Sequence, residues 1–119
     1  MKTHVLLLIL AFLSFGLKAQ VEVDGTSIND LDIQYLELIG KNQTFGLRIN
    51  VWVDYGQEPS FRLQSIRNAE GKQQKFNSIV DALNFMSKNG WEYVHNYTIG
   101  TGDTLENRYL MRRKAVATQ

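Results

Sequence analysis

The 119-residue chain has no cysteine, a single proline (Pro59) and only two histidines, His4 and His95. Without cysteine there is no disulfide, thiol nucleophile or thiolate metal ligand, and no residue to carry an N-terminal lipid. One histidine beyond the first few residues is too few for a zinc site. Asp24, Asp30 and Asp32 lack the glycine and closing glutamate of a calcium loop, so no metal is expected. No Gly-x-Ser-x-Gly elbow presents a serine, and Gly100-x-Gly102 reads as part of a hairpin, not a phosphate loop. No catalytic set and no cofactor is expected.

Long apolar runs are scarce as well. The one present, residues 5–17, is thirteen positions long, against about 20 for a helix that crosses a bilayer. With Lys2 ahead of it, the run fits the apolar region of a cleavable secretory signal over residues 1–19. Leu17-Lys18-Ala19 favours cutting after Ala19, and Ser14-Phe15-Gly16 is a competing site with small residues at both key positions. The expectation is an exported protein, periplasmic or secreted, that is not a lipoprotein and has no stable membrane anchor. Export without disulfides points to a bacterial setting.

Charge of one sign is also lacking. Loss of residues 1–19 removes Lys2 and Lys18, leaving 11 basic against 12 acidic residues. A near-neutral domain has no broad basic field to hold a polyanion, so nucleic-acid binding is not expected. The cluster Arg112-Arg113-Lys114 reads as the solvated end of a strand.

What the chain does have is aromatic and β-branched sequence at regular spacing. Residues 20–30 are polar and rich in turn formers, and read as a flexible lead-in to a single domain over residues 31–113, with a tail at 114–119. Residues 31–39 suggest a strand, with a turn at 40–43. The clearest element covers residues 44–55. Phe45, Leu47, Ile49, Val51, Val53 and Tyr55 alternate with Thr44, Gly46, Arg48, Asn50, Trp52 and Asp54, placing the first set on a core face. Pro59 stands in the break that follows.

Residues 61–67 are a weaker strand, Asn68-Ala69-Glu70-Gly71 a hairpin turn, and residues 72–76 the return. Asn77 and Ser78 offer helix caps ahead of Ile79, Ala82, Leu83 and Met86 at helical spacing, and Asn89-Gly90 closes that helix. Residues 91–99 alternate again, with Trp91, Tyr93, His95, Tyr97 and Ile99 on one side, and residues 105–112 return after a turn at 100–103. The order β-β-β-β-α-β-β with short links predicts an α+β fold: an antiparallel sheet of five to six strands with one helix packed on one face.

Ala82-Leu83-Asn84 on the helix, Asn89-Gly90-Trp91-Glu92-Tyr93-Val94 at the turn and Tyr109-Leu110-Met111-Arg112-Arg113 on the last strand carry a resemblance. Together they resemble a family of small exported bacterial α+β domains of unknown function, marked by a helix with Leu-Asn, a Gly-Trp-Glu-x-Val turn and a final Tyr-x-x-Arg-Arg strand. Phe76-Asn77-Ser78 and the signal segment suggest its Gram-negative exported branch. The resemblance implies a fold and brings no catalytic residue, substrate or cofactor. The Gly-Trp-Glu turn has a mechanical reading too, in which glycine reverses the chain, tryptophan closes the core and glutamate faces water.

Trp52 is unexpected where it falls, on the polar face with Arg48, Asn50 and Asp54. A ring beside polar groups stacks on a sugar or anchors a peptide or partner chain; the structural alternative is that a neighbouring segment covers it. His95 lies between Tyr93 and Tyr97 on an aromatic strand. The expected function is a non-enzymatic binding or interaction module, with Trp52, Arg48, Asp54, His95 and Tyr97 as binding residues and a protein, peptide or glycan as ligand. A free sheet edge would also allow a homodimer. The alternative is a small periplasmic hydrolase using His95 with a carboxylate.

Overall fold

The computed structural model describes residues 20–41, 47–60 and 64–115; the expected signal segment, residues 1–19, lies outside them. The chain folds as an α+β domain with two antiparallel sheets and one α-helix. Strands β3 (Tyr35–Lys41), β4 (Ile49–Asp54), β6 (Lys75–Phe76), β7 (Trp91–Ile99) and β8 (Glu106–Arg113) form the larger sheet, in the order β6-β4-β3-β8-β7. The smaller sheet joins β1 (Glu22–Val23), β2 (Thr26–Ser27) and β5 (Ile66–Arg67), with β1 in the middle. Helix α1 is Ile79–Lys88.

Residues 20–30 are not the flexible lead-in expected from their polarity. Val21, Val23 and Ile28 are fully buried in the main core. Asp24 and Gly25, both at positive φ, form the two-residue hairpin turn that suits an Asp-Gly pair. The Asp24 carboxylate then accepts from Arg67 Nε at 2.8 Å and from the Ser65 amide at 3.3 Å, tying the hairpin to β5.

Within the long alternating segment the strand is Ile49–Asp54, and the described residues Leu47 and Arg48 precede it. Val51 and Val53 are buried and Ile49 packs against the core, but Leu47 is 61% exposed and Arg48 is exposed ahead of β4; Phe45 lies outside the described residues. Gly40 and Lys41, expected in a turn, extend β3 instead. The hairpin at 68–71 forms as expected. Asn68 Oδ1 accepts from the amides of Glu70 and Lys72, and Gly71 takes φ +76°.

Local chemistry accounts for the helix. Ser78 Oγ accepts from the Asp81 amide at 3.2 Å, and Asp81 Oδ2 accepts from the Asn77 amide at 2.9 Å, which satisfies two donors at the N-terminus. Ala82 and Met86 are fully buried, with Ile79, Leu83 and Phe85 packed beside them. At the other end Asn89 Nδ2 donates to Phe85 O, Gly90 takes φ +93°, and Lys114 Nζ donates to Ser87 O at 2.6 Å.

The helix covers one face of the larger sheet. Leu36, Leu38, Val51, Val53 and Met111 point towards it, and a side chain on Gly40 would meet Ile79 at 3.5 Å. Strand β7 begins on the same terms, with Trp91 fully buried and Tyr93 opposite Met111. Its pairing with β8 then slips. Tyr93 faces Met111 and His95 faces Leu110, so Val94 is an extra residue in a β-bulge. A one-residue slip turns every later side chain to the other face. His95, Tyr97 and Ile99 therefore leave the side of Trp91 and Tyr93, where uninterrupted alternation put them.

In the Arg112-Arg113-Lys114 cluster, Arg112 and Lys114 are exposed at the strand end as expected, but Arg113 is half-buried and turned inward. The Arg113 guanidinium lies 4.8 Å from the Trp91 ring centroid and donates to the carbonyls of Ile33, Asn29 and Leu31 at 2.9–3.0 Å. Trp91 Nε1 donates to Asn29 Oδ1, and Asn29 Nδ2 donates to Asn89 O. Arg112 pairs with Glu92 at 2.6 Å across β7 and β8. Thus the Gly-Trp-Glu turn and the Arg-Arg strand end clamp the N-terminal segment to the sheet and helix.

Candidate functional site

The face of the larger sheet away from α1 carries the candidate site. Strand pairing builds it in rows. One row runs Trp52, Ile39, Arg108, Tyr97 across β4, β3, β8 and β7, and the next runs Asp54, Glu37, Leu110, His95. Four of the five residues expected to bind thus stand on one surface: Trp52, Asp54, His95 and Tyr97. The bulge at Val94 is what brings the last two there. Arg48 does not join them; it precedes β4, exposed, and makes no hydrogen bond or ion pair among the described residues.

Arg108, Glu37 and Ile39 complete the surface, although periodicity singled out none of them. Glu37 Oε2 accepts from the Tyr97 hydroxyl at 2.6 Å, across the intervening strand β8. That hydrogen bond, reinforced by the carboxylate charge, raises the Tyr97 phenol above its ordinary pKa of 10.0. Arg108 lies 3.8 Å from Asp54 and 3.3 Å from Glu106, so the central carboxylates face a cation. Asp54 also accepts from the Gly56 amide at 3.0 Å. The Tyr97–Glu37 and Arg108–Asp54 pairings leave no trace in sequence spacing, since they join four strands.

Two shallow depressions flank Asp54. The larger, about 300 Å³, has Ile39 and Trp52 on its floor with Asp54, Glu58, Pro59 and Gln64 around it. The smaller, about 230 Å³, lies between Tyr35, Tyr55 and Leu110, with Glu37 and Asp54 at its rim. Gln57 is locked by its own loop, accepting from the Tyr55 amide and donating to Val53 O, which holds the wall beside Trp52. Trp52 is half-buried and Ile39 lies directly opposite it on β3.

His95 stacks on Tyr97, with ring centroids 6.3 Å apart, and makes no hydrogen bond or ion pair among the described residues. A hydrolase built on His95 needs an orienting carboxylate in contact. Glu37, in the same row, is two strands away, roughly 10 Å at ordinary sheet spacing. Among the described residues no three His, Cys, Asp or Glu side chains group as a metal site, and no helix is long and apolar enough to cross a membrane. Comparison with family models, curated proteins and solved structures finds no significant match for this chain.

Proposed function

We propose that the protein, whose Gly-Trp-Glu and Arg-Arg segments resemble small exported bacterial domains of unknown function, is an exported binding module that holds an extended glycan on its helix-free sheet face. The observation that supports this most directly is the setting of Trp52. Its ring, with Ile39, floors a depression rimmed by carboxylates and an amide. A flat apolar surface beside hydrogen-bonding groups matches a sugar ring, which has C–H faces and hydroxyl edges.

Charge balance favours a neutral ligand over a basic peptide. Asp54 faces Arg108, and Glu37 already accepts from Tyr97. The second depression, beyond Asp54, gives a chain-like ligand room to continue towards Tyr35, which is 58% exposed.

The two tryptophans make the test clean, because Trp91 is fully buried and Trp52 is not. Titration with a panel of neutral oligosaccharides is expected to change the emission of Trp52, and Trp52→Ala to abolish binding while the fold persists. Binding that survives Trp52→Ala, or a response confined to basic peptides, would overturn the reading.

A further inference from the structure

We propose that two copies of this chain join edge to edge through β7, in antiparallel register centred near Tyr97, making one continuous ten-stranded sheet. The two edges of the larger sheet differ in a way that points to β7. At one edge β6 is only two residues long and presents exposed Lys75, both devices that discourage strand addition. At the other, β7 runs nine residues with no lysine, arginine or proline. It also holds Tyr93, Val94, Tyr97 and Ile99, four of the seven large apolar side chains exposed among the described residues.

The sequence of β7 suits a second copy of itself. Antiparallel self-pairing sets the residues around the two-fold axis against their own kind, so a fixed charge there would repel. From Tyr93 to Ile99 there is no Asp, Glu, Lys or Arg. The bulge at Val94 closes the regular stretch at one end, and Gly100, at φ +95°, turns the chain at the other. Residues 95–99 remain, and Tyr97 is their midpoint. Centred there, His95 faces the second copy's Ile99 and Asn96 its Thr98. That gives an apolar strip on the open face and a hydrogen-bonding pair on the other.

The seam lies on β7, three strands from β4, so loss of the dimer and loss of glycan binding at Trp52 can be told apart. The absence of native cysteine gives a direct test on the full chain. Sedimentation at tens of micromolar is expected to show a dimer for the native chain and a monomer for Asn96→Lys/Thr98→Lys. Under mild oxidation Tyr97→Cys is expected to cross-link at least tenfold faster than Tyr35→Cys, which is exposed on β3. A monomeric native chain, a charged double variant that still dimerises, or equal cross-linking at both positions would overturn the proposal.

Discussion

The Arg113 guanidinium lies over the Trp91 ring, 4.8 Å from its centroid, and donates to three main-chain carbonyls between Asn29 and Ile33. One side chain thus closes the core and satisfies a segment that contains no regular strand. Arg113→Ala is expected to cost about 2–3 kcal/mol, through lost charged hydrogen bonds and carbonyls left unpaired. Arg113→Lys should recover only part of that, since an ammonium lacks the planar fork. Urea unfolding followed by tryptophan emission measures both. An unchanged midpoint for Arg113→Ala would mean that the contact contributes nothing.

Tyr97 and Glu37 predict a response to alkaline pH. The hydrogen bond to Glu37 raises the folded phenol above 10.0, its unfolded value. A group raised on folding contributes stability that is complete below the unfolded pKa and is lost as pH climbs through the folded one. The contribution is therefore full below pH 10 and fades above it. In Glu37→Gln the carboxylate charge is gone, and Tyr97 should titrate nearer its ordinary value. Tyrosinate difference absorbance against Tyr97→Phe isolates this group from the other four tyrosines. An identical curve for Glu37→Gln would refute the assignment.

Deleting Val94 removes the extra residue of the bulge. His95 then follows Tyr93 directly and still faces Leu110, so His95, Tyr97 and Ile99 should keep the open face and the bond between Tyr97 and Glu37. The expected results are a Tyr97 phenol still raised above 10.0 and an undiminished glycan response. If the deletion returns Tyr97 to its ordinary value, the strand has realigned against β8 and Val94 is not the residue the bulge inserts.

Legibility varied along the chain for physical reasons. Helix α1 follows from Ser78, Asp81, the apolar stripe and Gly90, all within a dozen residues, and the hairpin at Asn68–Gly71 is equally local. Leu47 alternates in phase with Val51 and Val53, but periodicity cannot say where a strand stops having a neighbour. The Asp24-Gly25 turn signal and the valines before it were present, yet polar composition outweighed them and the buried hairpin read as a lead-in.

The sequence by itself determined the local grammar of this protein: one capped helix, alternating strands, a cysteine-free core that depends on packing, and a tryptophan out of place on a polar face. Only the tertiary structure decided which residues meet. The slip at Val94 depends on how β7 pairs with β8, and it carried His95 and Tyr97 to the side of Trp52 and Asp54. Arg108 and Glu37 joined them through pairing between strands far apart in the chain, and Arg113 became a clamp because the segment at 28–33 folds beneath it. Spacing along a chain sets which face a side chain takes within its own strand. Register and bulges between strands, which depend on every partner at once, set which faces coincide.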